Sequence, residues 1–331
     1  MGSSTKSITS ARGQTVDTTH NERGSTTRDT VSTRRRADGK RRAGHTPTIH
    51  KLIPLALVGL VLTAGVAARG MVARSLTLSI SAEAAIAVDL ETGQALVSKH
   101  EDTLVYPASL TKLMTAMLLA ENRYPGDLLK CSVGASLQEP TTLGLKPGSV
   151  LTAAAAMDAL LVASANDVAY MVAEEVGGTA KDFVAMMNAK AKSLGMVHTH
   201  FVNPAGLHDQ NHYSTAKDLA ILFKAALKDP WVAKALGKAE ATITASAPSQ
   251  GEGASTLTFK NTNPLLGKDG CVAGKTGHTA QAGKCLAALY EKEGHRIVAV
   301  VLKSPNDDAL ADDMDAIVKA AWQKLQANKQ D

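Results

Sequence analysis

Three short motifs follow one another along this chain: Ser109-Leu-Thr-Lys112, Ser164-Ala-Asn166 and Lys275-Thr-Gly277. Each supplies one part of a serine acyl-transfer site whose base is a lysine. A hydroxyl is a poor nucleophile at neutral pH and needs an adjacent proton acceptor. Ser109 and Lys112, three apart on a helix, share one face, so the amine reaches the hydroxyl. Ser164 and Asn166 add a hydroxyl and an amide for the opposite wall of a cleft. Lys275, Thr276 and Gly277 add a cation, a hydroxyl and a residue that lets backbone approach a substrate, a set suited to a carboxylate.

Each motif alone is weak. Ser-x-x-Lys recurs at Ser3/Lys6 and Ser214/Lys217, and Ser-x-Asn at Ser304-Pro-Asn306. The surroundings separate them. Ser109 opens the apolar helical stretch Leu110 to Ala120, Ser164 to Asn166 lies between two helical runs, and Lys275 lies in a strand-like context.

The elements that must position these residues follow from periodicity and turn residues. Ala85–Leu90 and Gln94–Ser98, joined across Gly93, read as a hairpin. Helices are expected over 109–122, 152–163, 167–176, 180–194 and 215–227, the last with Thr215 as N-cap. Strands are expected at 241–245, 256–260, 285–291 and 296–303. A final helix over about 308–327 carries Met314, Ile317, Val318, Ala321, Trp322 and Leu325 on one stripe. Strands at both ends with helices between imply an α+β fold: an antiparallel sheet flanked by helices, plus a helical lobe, the site lying where the two meet.

The chain has 331 residues, 44% hydrophobic and 20% charged, enough for a substantial core. Aromatics are 3%, so that core is built from Ala, Leu, Val and Met. The net charge of +5 is local: residues 1–50 hold ten Lys or Arg against four Asp or Glu, leaving the rest at −1. Residues 1–50 read as a disordered basic leader. Leu52 to Ala68 is uncharged and apolar, so 51–69 reads as a signal anchor with the leader in the cytoplasm and residues 79–331 outside, as the catalytic domain. Val66-Ala-Ala68 is an alternative cleavage site, which would make the protein secreted. Nothing downstream resembles a nucleic-acid-binding module. Cys131, Cys271 and Cys285 lack a Cys-x-x-Cys pattern and are expected as free, small apolar residues, with Cys271 facing about Leu289 across a hairpin centred near 279–281. His198, His200, His208 and His212 cluster without a metalloprotease spacing and are expected as surface loop residues; no metal and no cofactor is expected.

The ordered trio is the signature of penicillin-binding proteins and class A β-lactamases. The stretches Ala87-Val-Asp-Leu-Glu-Thr-Gly93, Tyr106 to Thr115, Ser164-Ala-Asn-Asp167, Phe201-Val-Asn-Pro-Ala-Gly-Leu207 and Gly274-Lys-Thr-Gly-His-Thr279 resemble the D-alanyl-D-alanine carboxypeptidases, low-molecular-mass penicillin-binding proteins of serine peptidase family S11. Ala273-Gly274 departs from the usual glycine-then-aliphatic pair before the lysine, which bears on packing beneath that strand. Many members add a β-rich domain and an amphipathic C-terminal helix, and neither is expected in the 56 residues after Lys275.

The resemblance implies roles. Ser109 is the nucleophile, attacking the carbonyl between two D-alanines of a peptidoglycan stem peptide, and Lys112 the general base. Ser164 relays a proton to the departing D-alanine, and Asn166 binds the substrate amide unless it merely caps the following helix. Lys275, Thr276 and Gly277 bind the substrate end, and the backbone N–H groups of Ser109 and His278 form the oxyanion hole. β-Lactams are implied as covalent inhibitors. Alternatives are a β-lactamase, a silent wall-binding protein, or a D,D-endopeptidase or transpeptidase. The absence of glutamate between Val176 and Ala239 counts against the lactamase, and the three intact motifs against the silent protein.

Overall fold

The run Ile297-Val-Ala-Val-Val-Leu302 is apolar at every position, as in strands covered on both faces. In the computed structural model, which describes residues 78–246 and 253–328, this run lies in the middle of a five-stranded antiparallel sheet. The strands are β1 (Ala84–Asp89), β2 (Ala95–Lys99), β7 (Cys271–Thr279), β8 (Gly283–Lys292) and β9 (His295–Ser304), in the order β2-β1-β9-β8-β7. Alternation assigns Ile297, Ala299 and Val301 to one face and Val298, Val300 and Leu302 to the other, and the two sets join two separate cores. Strand β7 is at the sheet edge, so one side of its backbone is free of strand pairing.

The first face is covered by α8 (Asp307–Ala327). Its Leu310, Met314, Ile317, Val318 and Ala321 pack against Ala85, Ala87 and Ala288, small residues that let a helix lie close. Asn306 caps α8 by accepting from the Ala309 N–H, and buried Asp313 accepts from Ser81 N, Ala82 N and Ser304 Oγ. The rival Ser304-Pro-Asn306 is therefore structural.

The second face carries the helical lobe. Its centre is α1 (Lys112–Asn122), buried from Lys112 through Leu119, as expected of a helix apolar on all sides. Around it lie α2 (Val133–Ser136), α3 (Ala153–Asp158), α4 (Asn166–Gly177), α5 (Ala180–Leu194), α6 (Ala216–Ala226) and α7 (Pro230–Leu236), with the ribbons β3 (Leu128–Lys130)–β4 (Val150–Thr152) and β5 (Glu240–Ala245)–β6 (Ser255–Lys260). Thr215 caps α6 as expected, its side chain accepting from the Asp218 N–H.

Several details differ from the sequence reading. The helix expected over 152–163 is α3 followed by a π-helical turn, Ala159–Ala163. α7 was not expected, although Asp229 caps it and Pro230 fits its first turn. Cys271 pairs with Tyr290, one residue beyond Leu289: the hairpin centres on Gln281, whose regular register would place Cys271 opposite Glu291, and the irregularity between Cys271 and Ala273 takes the pairing back by one. All three cysteines are free and buried. The basic leader and the apolar run Leu52–Ala68 lie outside the described residues. Among the described residues no helix is long and apolar enough to cross a membrane.

Candidate active site

Ser109 sits in a 3-10 turn, Ala108–Thr111, that runs directly into α1. Lys112 is completely buried, and its Nζ has three partners: Ser109 Oγ at 2.9 Å, Asn166 Oδ1 at 2.7 Å and the Ala205 carbonyl at 2.9 Å. The latter two are oxygens that only accept, so they take two N–H bonds of the amine. The remaining direction points at Ser109. With the amine neutral, its lone pair faces the serine hydroxyl, the arrangement a base needs. Burial first, and the nearby cation Lys275 second, push the Lys112 pKa well below the usual lysine value, while Asp167 opposes them.

The second motif follows the π-helical turn, which ends with Ser164 in the left-handed region at φ 63°. That turn and the strained residue present the Ser164 hydroxyl to Lys275, whose Nζ donates to it at 2.9 Å. Asn166 is not the cap of α4: Ala165 occupies that position without a side-chain bond, and the Asn166 amide faces Lys112 and donates to the Glu139 carbonyl. Its neighbour Asp167 is fully buried and accepts from the N–H groups of Leu143, Leu145 and Val168, fixing the 143–145 segment.

The third motif lies on edge strand β7. Lys275 is fully buried, and its Nζ also donates to the Thr276 carbonyl at 2.8 Å. Burial pulls its pKa down to about 7. A Cβ on Gly277 would stand 3.0 Å from both Pro107 O and Ser109 N, so glycine lets β7 run against the turn that carries Ser109. Gly274 does the same for Asn263, whose Nδ2 a Cβ would meet at 2.5 Å, so the unusual Ala273-Gly274 pair makes room for that amide. Thr276 Oγ1 bonds Thr262 Oγ1 at 2.6 Å. The His278 ring is exposed, with Nδ1 3.0 Å from the Gly283 carbonyl.

All three motifs thus meet, in two linked clusters: Ser109, Lys112 and Asn166 in one, Ser164, Lys275 and Thr276 in the other. The rival Ser214/Lys217 pair does not form. Ser214 is buried against Thr199, and Lys217 turns to Asp102 at 3.4 Å. No role in the site was read from the 203–212 loop, although its Asn203-Pro-Ala-Gly206 segment belongs to a stretch that carries the family resemblance. It supplies the Ala205 carbonyl to Lys112 and the Pro204 carbonyl to Thr115 Oγ1 at 2.6 Å, and Asn203 Oδ1 holds it by accepting from Gly206 and Leu207. His212 also departs from expectation. It is 2% exposed and bonds Thr111, whereas His198, His200 and His208 lie at the surface. Among the described residues no group of three or more His, Cys, Asp or Glu is placed to hold a metal ion.

Comparison with known proteins agrees with this geometry. Residues 71–306 match the family model described as D-alanyl-D-alanine carboxypeptidase, peptidase family S11. The chain is 34% identical over 237 residues to D-alanyl-D-alanine carboxypeptidase DacF of Bacillus subtilis, covering 69% of this chain and 59% of that relative. It is 38% identical over 229 residues to the D-alanyl-D-alanine endopeptidase of Escherichia coli K12, covering 67% and 71%. Among solved structures, the Streptomyces K15 DD-transpeptidase superposes with a TM-score of 0.70 at 26% identity, over 74% of this chain and 98% of that one. A D-alanyl-D-alanine carboxypeptidase from Mycobacterium tuberculosis H37Rv gives 0.67 at 29% identity, over 74% and 92%. With its three motifs assembled on the same fold and its family model matched across the sheet and lobe, the chain belongs to the S11 D-alanyl-D-alanine carboxypeptidase family of serine peptidases.

Proposed function

We propose that this protein is a serine D,D-carboxypeptidase that removes the terminal D-alanine from peptidoglycan stem peptides. The observation that carries the reading is the Lys112 amine, held by two permanent acceptors with its third direction on Ser109 Oγ. Ser109 Oγ attacks the carbonyl between the two D-alanines, and its proton passes to Lys112. The C–N bond breaks, the departing amine takes a proton by way of Ser164, and an acyl ester remains on Ser109. Water then hydrolyses the ester. The Ser109 and His278 N–H groups stabilise the oxyanion, the former at a helix start where negative charge is favoured. Asn166 receives the substrate amide and Thr276 the terminal carboxylate. Lys275 is buried and already engaged, so it acts through its charge and by orienting Ser164. β-Lactams acylate the same serine.

The test is to incubate the full chain with a diacyl-Lys-D-Ala-D-Ala tripeptide and measure free D-alanine. Release that depends on Ser109 supports the proposal. No release, together with no penicillin labelling, overturns it.

An endopeptidase reading is favoured by one observation. Arg123 and Arg296 are engaged elsewhere, with the Glu175 carbonyl and with Glu91, so among the described residues no guanidinium is placed to clamp a terminal carboxylate. Cleavage of a cross-linked muropeptide dimer without D-alanine release from the tripeptide would select that reading.

We also propose that residues 51–69 anchor the protein with its catalytic domain outside the cytoplasm. The support is the basic leader before the apolar run and a substrate class found outside the membrane. Protease added to intact spheroplasts should digest the domain and spare the leader, and a domain protected until lysis would refute this topology.

A further inference from the structure

We infer that His212 is a positioning residue for acyl transfer, acting through Thr111 on the turn that carries Ser109 and Lys112. The inference rests on the acyl-transfer reading above. Thr111 lies between nucleophile and base in sequence and is fully buried. Its hydroxyl is 2.8 Å from His212 Nε2. The Val202 N–H donates to His212 Nδ1 at 3.3 Å, so Nδ1 carries the lone pair and Nε2 carries the proton, which points at Thr111. The ring is held from two further sides: its own backbone N–H donates to Asp209 O, and Phe201 packs on it edge-to-face with centroids 5.6 Å apart.

The ring remains neutral at ordinary pH. Burial pulls its pKa down to about 4, with His200 and His208 adding to the effect and Asp209 opposing it. A neutral donor suits this place, since a cation there, added to Lys275, would further disturb the base.

The geometry explains why a hydrogen bond is needed here. Ala108, one residue before the nucleophile, is in the left-handed region at φ 47°. A turn strained in that way stays in place only when its surroundings hold it. The 203–212 loop meets three polar groups at the start of α1: Ala205 O on Lys112, Pro204 O on Thr115 and His212 on Thr111. The first two use backbone carbonyls. His212 is the side chain of the set, and therefore the contact a substitution can remove.

The experiment compares the full-length wild type with Thr111→Val, His212→Asn, His212→Gln and the Thr111→Val/His212→Asn double variant. It reads the pseudo-first-order rate of labelling by a fluorescent penicillin, and the melting temperature of each protein. A glutamine amide N–H can take the place of Nε2–H, whereas the shorter asparagine can replace only Nδ1. His212→Asn and Thr111→Val should each slow labelling on the order of ten- to a hundredfold, as expected when reacting groups are displaced without being removed. His212→Gln should restore most of the rate at a melting temperature equal to that of His212→Asn, and the double variant should be no slower than either single one. Equal rates for Gln and Asn, or additive losses in the double variant, would overturn the inference. Wild-type protein that fails to label would refute the acyl-transfer reading itself, and this inference with it.

Discussion

Gly206 backs directly onto Ala108. A Cβ at Gly206 would lie 1.8 Å from the Ala108 carbonyl oxygen and 2.9 Å from Thr111 Oγ1. Both residues have positive φ, 85° at Gly206 and 47° at Ala108. The strained Ala108 turn is thus braced, immediately behind Ser109, by a distant segment whose left-handed backbone and close approach both require glycine.

Gly206→Ala should therefore cost stability and activity together. The side chain meets backbone that cannot swing aside, and φ is unfavourable for alanine, so a loss on the order of 2–4 kcal/mol is expected. Urea unfolding measures the loss, and penicillin labelling of the surviving folded fraction should be slower than wild type. Unchanged stability would mean that the loop does not press on the turn.

Ser109→Ala should abolish penicillin labelling and D-alanine release alike, because one hydroxyl serves both. Ser214→Ala should label as wild type does, since Ser214 bonds Thr199 and its nominal lysine faces Asp102. Mass spectrometry of the labelled peptide identifies the acylated serine, and adducts at Ser214 would invalidate the assignment.

The acylation rate should rise with pH and level off at a midpoint well below the ordinary lysine value of 10.5, because the base must be neutral and burial with Lys275 lowers its pKa. Below the midpoint the rate should drop about tenfold per pH unit. Stopped-flow labelling between pH 5 and 10 at constant ionic strength provides the profile. A rate that already falls with rising pH below 7, where Lys275 keeps its proton, would require a protonated Lys112.

Lys275→Met should remove reactivity yet stabilise the fold at neutral pH. The folded amine titrates at about 7, whereas an unfolded lysine titrates near 10.4. Below pH 7 both states bind the proton, and the fold carries the whole cost of burying the ammonium. Between about 7 and 10.4 the unfolded state binds more protons, so wild-type stability rises relative to the variant. The variant's advantage should shrink over this window by a quantity on the order of 4 kcal/mol. Parallel urea titrations at pH 6.5, 8 and 9.5 measure it, and an advantage constant across pH would show that Lys275 keeps its charge throughout.

Bound penicillin should leave slowly. No glutamate lies between Val176 and Ala239, the stretch that would hold the water-activating residue of a class A β-lactamase. Sustained turnover of a chromogenic β-lactam would reveal another residue activating water.

The local features of this protein were written in its sequence. The unbroken apolar runs of β8 and β9, the stripe of α8 and the Thr215 cap all depend on neighbours within a few residues, and each formed as expected. The π-helical turn before Ser164 and the bulge at Cys271 were not legible, because they relieve packing demands set by distant segments. The same reason separates the genuine Ser-x-x-Lys from its copy at Ser214. Spacing is identical in both, and what differs is that Lys112 is enclosed by Asn166, 54 residues away, and by Ala205, 93 residues away. Burial lowers that lysine's proton affinity and the long-range acceptors turn its amine toward Ser109, and both exist only once the 203–212 loop has packed behind the Ser109 turn. Sequence supplied the reacting groups; tertiary structure decided which of them meet, and with what proton affinity.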